Sequence, residues 1–449
     1  MRGVRSAAIV TVASGISFAS AQGVPPPLDE HARKEVVEQL ASALSDGYAN
    51  AETGLTMSQR LRKQLAAKAY RAYTSGEQLA RALNTDLHSV VPDKHLHVSF
   101  GAGPGPQPGP TPGPPPDSPA SNGDIRRVEI LAGNVGYLEI NAVPDPALAR
   151  SAIAAAFAFL RNTDALILDL RGNSGGWPET CALYMSYLSE GAPFVLNTFH
   201  GRGEHAIETR TTDLGRDSYG IEKPVFVLIS ARTFSGGEEL AYDIQSFKRG
   251  LVVGEVSGGG ANPGATVPLS HGFSVFLPTG YPVNPVTGTN WEGVGVKPDA
   301  AVPPGLALIE AHRLAVTRLQ ADTNDPAARG ALQTLARSLA LEKQALASHA
   351  PNYQAAQDLV GTYGPSDGRP GRRLSISRDR EYLLLQQEDR PANRLIPVGA
   401  MTYRLDGLPD DFTATFVRGE GDRLQVWLHM GNWPPGPPLV KLAGVSRPR

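Results

Sequence analysis

The chain has 449 residues with 42 basic and 44 acidic side chains, a net charge of −2, and so lacks the basic excess of a nucleic-acid binder. One cysteine, Cys181, excludes an internal disulfide framework and any metal site built from several thiolates; its place in a helical pattern reads as a core thiol. The length suffices for about three domains.

Residues 1–21 read as a secretory signal: Arg2 and Arg5 precede an apolar stretch from Ala7 to Phe18, and Ala19-Ser20-Ala21 forms an A-x-A cleavage site. No later apolar run has the length of a bilayer span. The expectation is an exported protein, periplasmic or extracellular, with no integral membrane segment after signal removal. From Leu28 to Ala82, Val36, Val37, Leu40, Leu44, Leu61, Leu65, Ala69 and Tyr73 follow helical spacing, with Gly47, Gly54 and Gly76 as punctuation. This predicts a helical domain over 28–100. It ends in a turn at Asp93-Lys94 and an extended segment with His95 and His97 on one side. Such a pair reads first as solvated side chains. Residues 101–123 are proline and glycine with little to bury, a linker or disordered loop.

A main domain is expected over 124–322. It opens with a hairpin, 128–131 and 135–140, around Gly133-Asn134. A helix over 147–160, a strand over 165–170, the loop Arg171 to Gly176, a helix over 179–188 and a strand over 194–199 follow. Val225 to Ile229 is an uninterrupted apolar run, the pattern of a strand buried on both faces. After the turn Ser230 to Thr233 comes Ser235, then Gly236, Gly237 and a helical pattern. Strand 251–253, a glycine-rich loop 258–264 and a hairpin around His271-Gly272 complete the set. Strands alternating with helices define an α/β fold with a largely parallel sheet, whose loops gather at the strand carboxyl ends. Helices are expected over 306–319 and, as a connector spanning 323–350, over 326–348. Short β-like runs between 373 and 428 predict a small β-rich domain over 351–449.

Ser235 sits where a buried strand hands over to a helix N-terminus. A helix N-cap and a nucleophile both fit that place. As a nucleophile, it would have the Gly236 N–H at hand for an oxyanion, and Gly175-Gly176 at the end of the neighbouring strand could present a second donor. Glu238 reads first as a helix-start acid, with a specificity residue as the alternative. Glu292, between Trp291 and Gly293, is either a solvated turn acid or a carboxylate that orients an imidazole.

Taken together, Asp93-Lys94-His95-Leu96, Gly133 to Leu138, Asp169-Leu170-Arg171 with Gly175-Gly176, Thr233-Phe234-Ser235, Gly254-Glu255 and Pro285 to Asp299 resemble the tail-specific (C-terminal processing) serine proteases. The similarity is to the branch of the tricorn core protease and the interphotoreceptor retinoid-binding protein. It covers most of residues 28–320 and implies a crotonase/ClpP-like spiral of ββα units behind a small helical bundle. It also implies Ser235 as nucleophile and Gly236 and Gly176, with Gly175 beside them, as the oxyanion hole. The lysine base of the bacterial and chloroplast enzymes would fall on Gly259, so it is missing. The tricorn-like branch instead implies His95 as base and Glu292 as its partner. Lys94 departs from that branch, which carries a hydroxyl residue there. The inserted PDZ domain is absent, since 101–123 is too poor in apolar residues to fold.

The function expected is an exported serine peptidase acting on polypeptides through an acyl-enzyme, with no cofactor, no metal and no nucleic-acid partner. The alternative is a binding module for apolar ligands or peptides with a decayed site, as in the retinoid-binding relatives. An acyl-CoA enzyme on the related spiral fits poorly with export.

Overall fold

The computed structural model describes residues 28–101, 119–203, 206–348 and, with short interruptions, 358–442. The signal-like residues 1–21 and most of the proline-rich stretch, 102–118, lie outside the described residues. No helix among the described residues is long and apolar enough to cross a membrane.

Three helices come first among the described residues: α1 (Glu30–Gly47), α2 (Ala51–Ala66) and α3 (Gly76–His88). Each starts on a polar residue that takes up an unpaired N–H: Asp29 accepts from Ala32 at 2.7 Å, Asn50 from Thr53 at 2.9 Å and Ser75 from Gln78 at 3.3 Å. Gly54 does not break the helix as its type suggested. It lies inside α2, where a Cβ would come within 2.4 Å of the Leu44 carbonyl oxygen, so its bare backbone lets α1 and α2 cross closely. Strand β1 (His97–Phe100) follows. His95 precedes it in a turn, and therefore does not share a strand face with His97 as the alternation had implied.

The central region runs β2 (Ile125–Leu131), β3 (Val135–Ile140), α4 (Pro146–Leu160), β4 (Ala165–Asp169), α5 (Pro178–Tyr187), β5 (Val195–Gly201), β6 (Ile207–Arg210), β7 (Val225–Ile229), α6 (Gly236–Ser246) and β8 (Leu251–Gly254). After these come β9 (Gly264–Pro268), β10 (Phe273–Pro278), β11 (Gly280–Val283), β12 (Ala300–Ala301), α7 (Pro304–Asp322) and α8 (Pro326–Ser348). The main sheet has the order β12-β8-β7-β4-β3-β2, parallel except for the β2–β3 hairpin. In the three-residue connection 132–134, Gly133 and Asn134 turn that hairpin at φ +80° and +58°, angles that glycine and asparagine take more readily than other residues.

The inner strands β4 and β7 are buried on both faces, which is why they read as nearly unbroken apolar runs. Along β4 and β7, Leu166, Leu168, Val225, Val227 and Ile229 face α4, α5 and α6, whereas Ile167, Phe226 and Leu228 face α7. Each such side chain contributes roughly 1.5–3 kcal/mol on full burial. A one-residue slip would reverse both faces, so the register that brings the carboxyl ends of β4 and β7 side by side is strongly fixed.

The helical segment has no private core. Val36, Leu40, Leu44, Leu79 and Leu83 pack with Leu96 and Val98 and with Phe273, Val275 and Leu277 of β10. β1 pairs with β10, His97 opposite Phe276, and β10 with β9. Pairing across this span of sequence carries the His95 turn onto the central region. The chain ends in a closed antiparallel barrel of eight strands, from β13 (Gly361–Gly364) to β20 (Leu439–Lys441). Leu374, Ile376, Leu383, Leu385, Leu395 and Phe416 fill its interior. The mixed α/β class, the helical start and the β-rich end agree with expectation. The sequence rhythm missed β6, β11 and the short strands that close the barrel, each of which has too few residues to display a period.

Candidate active site

Residues 230–235 join β7 to α6. The Ser230 N–H donates to Thr233 Oγ1 at 2.9 Å and the Thr233 N–H to the Ser230 carbonyl at 2.9 Å. The two hydroxyls in turn donate to the neighbouring β4 loop, Thr233 to the Leu170 carbonyl at 2.8 Å and Ser230 to that of Arg171 at 2.7 Å. On this sewn turn Ser235 has φ +54° and ψ −124°. A non-glycine residue held there costs about 1–3 kcal/mol and persists only where its surroundings over-determine it. The same strained strand-to-helix turn exposes the nucleophilic serine in hydrolases of a different fold.

Three glycines surround it. Gly175 (φ +99°) lies so close that a Cβ would be 2.6 Å from Ser235 Cβ. Gly176 (φ +140°) bridges to Val143, and its nitrogen is 3.1 Å from where a Cβ on Gly236 would stand. The N–H groups of Gly176 and Gly236 thus border one small space, and neither has a partner among the described residues. Gly175 is corrected on this point. Its N–H donates to Asn173 Oδ1 at 2.9 Å, so it packs against the serine and is not a free donor. Buried Asn173 was not singled out in the sequence. Its Nδ2 donates to the Ile140 carbonyl at 3.0 Å and its own carbonyl accepts the Phe234 N–H at 3.0 Å, tying the glycine loop to the serine turn. Below the loop, Asp169 and Arg171 form a buried ion pair at 2.6 Å, with Tyr137 donating to Asp169 at 2.7 Å.

His95 and Glu292 meet on the other side. Ligand-capable atoms of Asp93, His95 and Glu292 all lie within 4.8 Å of one another. The His95 ring packs on Phe234, next to Ser235, with centroids 4.6 Å apart, and on Phe276 at 5.7 Å. His95 Nδ1 and Glu292 Oε1 are both buried without partners, and no hydrogen bond joins the Ser235 hydroxyl to the imidazole. Burial pushes the His95 pKa down, against a smaller upward pull from Asp93. Burial pushes Glu292 up to about 7, opposed by the Ala261 N–H that its Oε2 accepts at 2.6 Å.

Glu238 is more than a helix-start acid. It is fully buried, and its carboxylate accepts the N–H groups of Ser235 (3.0 Å), Gly259 (2.6 Å) and Gly260 (2.8 Å) and the Ser257 hydroxyl (2.5 Å). Burial raises its pKa. The Gly259-Gly260 loop is pinned from above by Trp291 Nε1, which donates to the Gly260 carbonyl at 2.8 Å, and by the Gly293 N–H on the Gly259 carbonyl at 3.0 Å. Gly259 has φ +80°, and a Cβ there would lie 3.1 Å from the Gly295 nitrogen. A side chain at this position would be strained at that φ and crowded by the neighbouring loop, which would have to yield by a few tenths of an ångström. Lys94 Nζ donates to the Gly258 carbonyl on the same loop.

The Asp93, His95 and Glu292 cluster has the spacing of a metal site, but not the free ligands. Asp93 already accepts four hydrogen bonds and Glu292 Oε2 two. His95 Nδ1 and Glu292 Oε1 remain, fewer than the three or four protein ligands zinc takes. These two atoms suit proton traffic better.

The chain that places this strained serine on an α/β scaffold is similar to known peptidases. Residues 134–302 match the model of peptidase family S41, and residues 30–128 match the N-terminal domain of Peptidase_S41 in eukaryotic IRBP. The chain carries a peptidase family S41 domain preceded by that family's N-terminal domain. It is 31% identical over 172 residues to carboxyl-terminal-processing peptidase 2, chloroplastic, of Arabidopsis thaliana, a match covering 38% of this chain and 32% of that one. It is 28% identical over 177 residues to the carboxy-terminal-processing protease of Bartonella bacilliformis, covering 38% and 39%. The matches thus span only about a third of these curated relatives' length. The solved photosystem II D1 C-terminal processing protease aligns over 60% of this chain and 92% of its own at 16% identity, TM-score 0.38.

Proposed function

We propose that the protein is a serine peptidase in which Ser235 attacks the carbonyl of a peptide bond. His95 accepts the Ser235 hydroxyl proton as the Oγ–C bond forms, and the N–H groups of Gly236 and Gly176 stabilise the oxyanion. Imidazolium then gives its proton to the leaving amine as the C–N bond breaks, leaving an acyl-enzyme that water hydrolyses by the same route. Glu292 Oε1 takes the Nδ1–H of His95 and balances the imidazolium charge. General-base help supplies roughly 10²–10⁴ in rate and an oxyanion donor about 3 kcal/mol, so both halves of the site are required.

The observation that carries the reading is Ser235 itself, at φ +54° and ψ −124° beside two unpartnered glycine N–H groups. A capping serine needs no such strain. Gly259, which carries no side chain, stands where the lysine base would fall, and this supports histidine over lysine as base. The reading takes residues 28–100 and 124–322 as one catalytic unit and residues 351–449 as an appended barrel, and the signal-like start supports export. The test is hydrolysis of an unfolded protein, together with labelling by a fluorophosphonate, for wild type and Ser235→Ala. Loss of both in the variant is expected, and equal rates would overturn the reading.

A further inference from the structure

Asp93 lies at the junction of three parts of the molecule. It is 1% exposed, yet no lysine or arginine among the described residues forms an ion pair with it. Four donors satisfy its carboxylate. Oδ1 takes the N–H groups of His95 (2.9 Å) and Leu96 (3.3 Å) from its own turn. Oδ2 takes the Tyr48 hydroxyl (2.9 Å), at the C-terminal end of α1, and the Asn262 amide (2.9 Å), from the loop after β8. Four hydrogen bonds match the acceptor capacity of a carboxylate. The Asn262 N–H in turn donates to Glu292 Oε2 at 3.2 Å, so one residue bridges the two acids.

We infer that Asp93 is a positioning residue of this site: with Tyr48 and Asn262 it seats the His95 turn against Glu292, and its carboxylate is the acidic neighbour beside which that pair works. The inference rests on the reading of Ser235 and His95 as nucleophile and base. Without Asp93, the His95 turn would depend on the β1–β10 pairing, which begins only at His97, on the Lys94 and His88 contacts to Gly258 and Leu96, and on the packing of the His95 ring. The charge has a separate consequence, because Asp93 raises the pKa of His95 and of Glu292. The other groups facing the cluster are the Tyr48 phenol, which burial and Asp93 keep protonated, Glu238, which adds to the upward push on Glu292, and the exposed Lys94 ammonium. A base seated only by packing would feel the full desolvation of its pocket. Asp93 offsets part of that, so imidazolium is better tolerated when it forms.

The test measures the rate of fluorophosphonate labelling at Ser235 against pH for the full-length protein and for Asp93→Asn and Tyr48→Phe. Asn keeps the shape and the Oδ1 contacts but removes the charge. Asp93→Asn is expected to move the acid limb of the profile down by about one pH unit and to lower the plateau roughly tenfold. Tyr48→Phe keeps the charge and loses one anchor, and should lower the plateau several-fold with the limb unmoved. A folded Asp93→Asn protein whose limb stays in place overturns the inference. If Asp93→Asn does not fold, Tyr48→Phe decides, and a wild-type plateau overturns the seating role. Persistent labelling in Ser235→Ala would instead overturn the peptidase reading.

Discussion

Glu238 accepts the Ser235 N–H at 3.0 Å, and the same carboxylate holds the N–H groups of Gly259 and Gly260. One buried side chain therefore fixes the backbone of the serine and the loop whose Gly260 abuts the His95 ring. Replacing one oxygen by an amide sets N–H against N–H. Glu238→Gln should cost about 1–3 kcal/mol in stability, since a buried donor loses its acceptor. The accompanying shift of Ser235 relative to His95 should cost roughly tenfold to a hundredfold in turnover. Thermal unfolding and hydrolysis rates, measured together, check both numbers. A variant that unfolds earlier but turns over at the wild-type rate would assign Glu238 to stability alone.

The pH dependence follows from Glu292. Burial raises it to about 7, and it must be ionised to balance imidazolium. Burial lowers His95, so the imidazole is already neutral where Glu292 ionises. Both groups work in the deprotonated form, and the higher pKa sets the limb. Activity should rise through about pH 7 to a plateau, in place of the limb near 6.5 that an unperturbed histidine would give. Glu292→Gln should abolish that limb and lower the plateau. The pH profile of kcat/KM for a peptide substrate checks this.

Parts of this arrangement were legible in the chain and parts were not, for physical reasons. The Val225 to Ile229 run and the glycines after Ser235 announce a buried strand, a turn and a helix, because the sheet is covered on both faces and the turn needs bare backbone. The acceptor shells of Asp93 and Glu238 have no such signature. Tyr48 and Asn262 reach Asp93 from 45 and 169 residues away, and no local period records a contact between distant loops. The pairing of His95 with Glu292 entered the reading only through family resemblance. Gly175 reads as a donor in sequence because it and Gly176 look alike there, whereas Asn173 takes the N–H of Gly175 and leaves that of Gly176.

A second buried acid cluster lies behind the serine helix. Glu239 and Asp243 are 3% and 0% exposed and share the Asn197 amide, which donates to Glu239 at 3.2 Å and to Asp243 at 3.0 and 3.1 Å. Burial raises Asp243 to about 7, and burial with the Asp243 charge raises Glu239 further. An unfolded aspartate titrates near 3.9, so the native state holds a proton that the unfolded chain releases between about pH 4 and 7. This contribution to stability is present at low pH and is lost as pH rises through that window. Asp243→Asn removes the loss and supplies Glu239 with an amide donor. The variant should gain in melting temperature relative to wild type at pH 8, with a smaller gain at pH 5. Parallel melting curves at both pH values would locate the titration elsewhere.

The barrel is fastened to the serine turn itself. Arg232, three residues before Ser235, donates from Nη1 to Asn393 Oδ1 at 2.9 Å, and Asn393 Nδ2 donates to the Asp406 carbonyl at 2.9 Å. A second contact sets the Arg126 guanidinium 4.8 Å over the Phe412 ring. Burial, with nearby Arg390, pushes the Arg232 pKa down to about 10, so it remains a cation whose barrel partner is a neutral amide. Removing that acceptor while the charge stays should be worse than removing both. Asn393→Leu alone should destabilise by roughly 1–3 kcal/mol, and Arg232→Met with Asn393→Leu by less, because no charge is then stranded. Melting temperatures of the two single variants and the double variant close the cycle. An additive result would mean that Arg232 finds its solvation in water and that the barrel is held by the Arg126 contact and by packing.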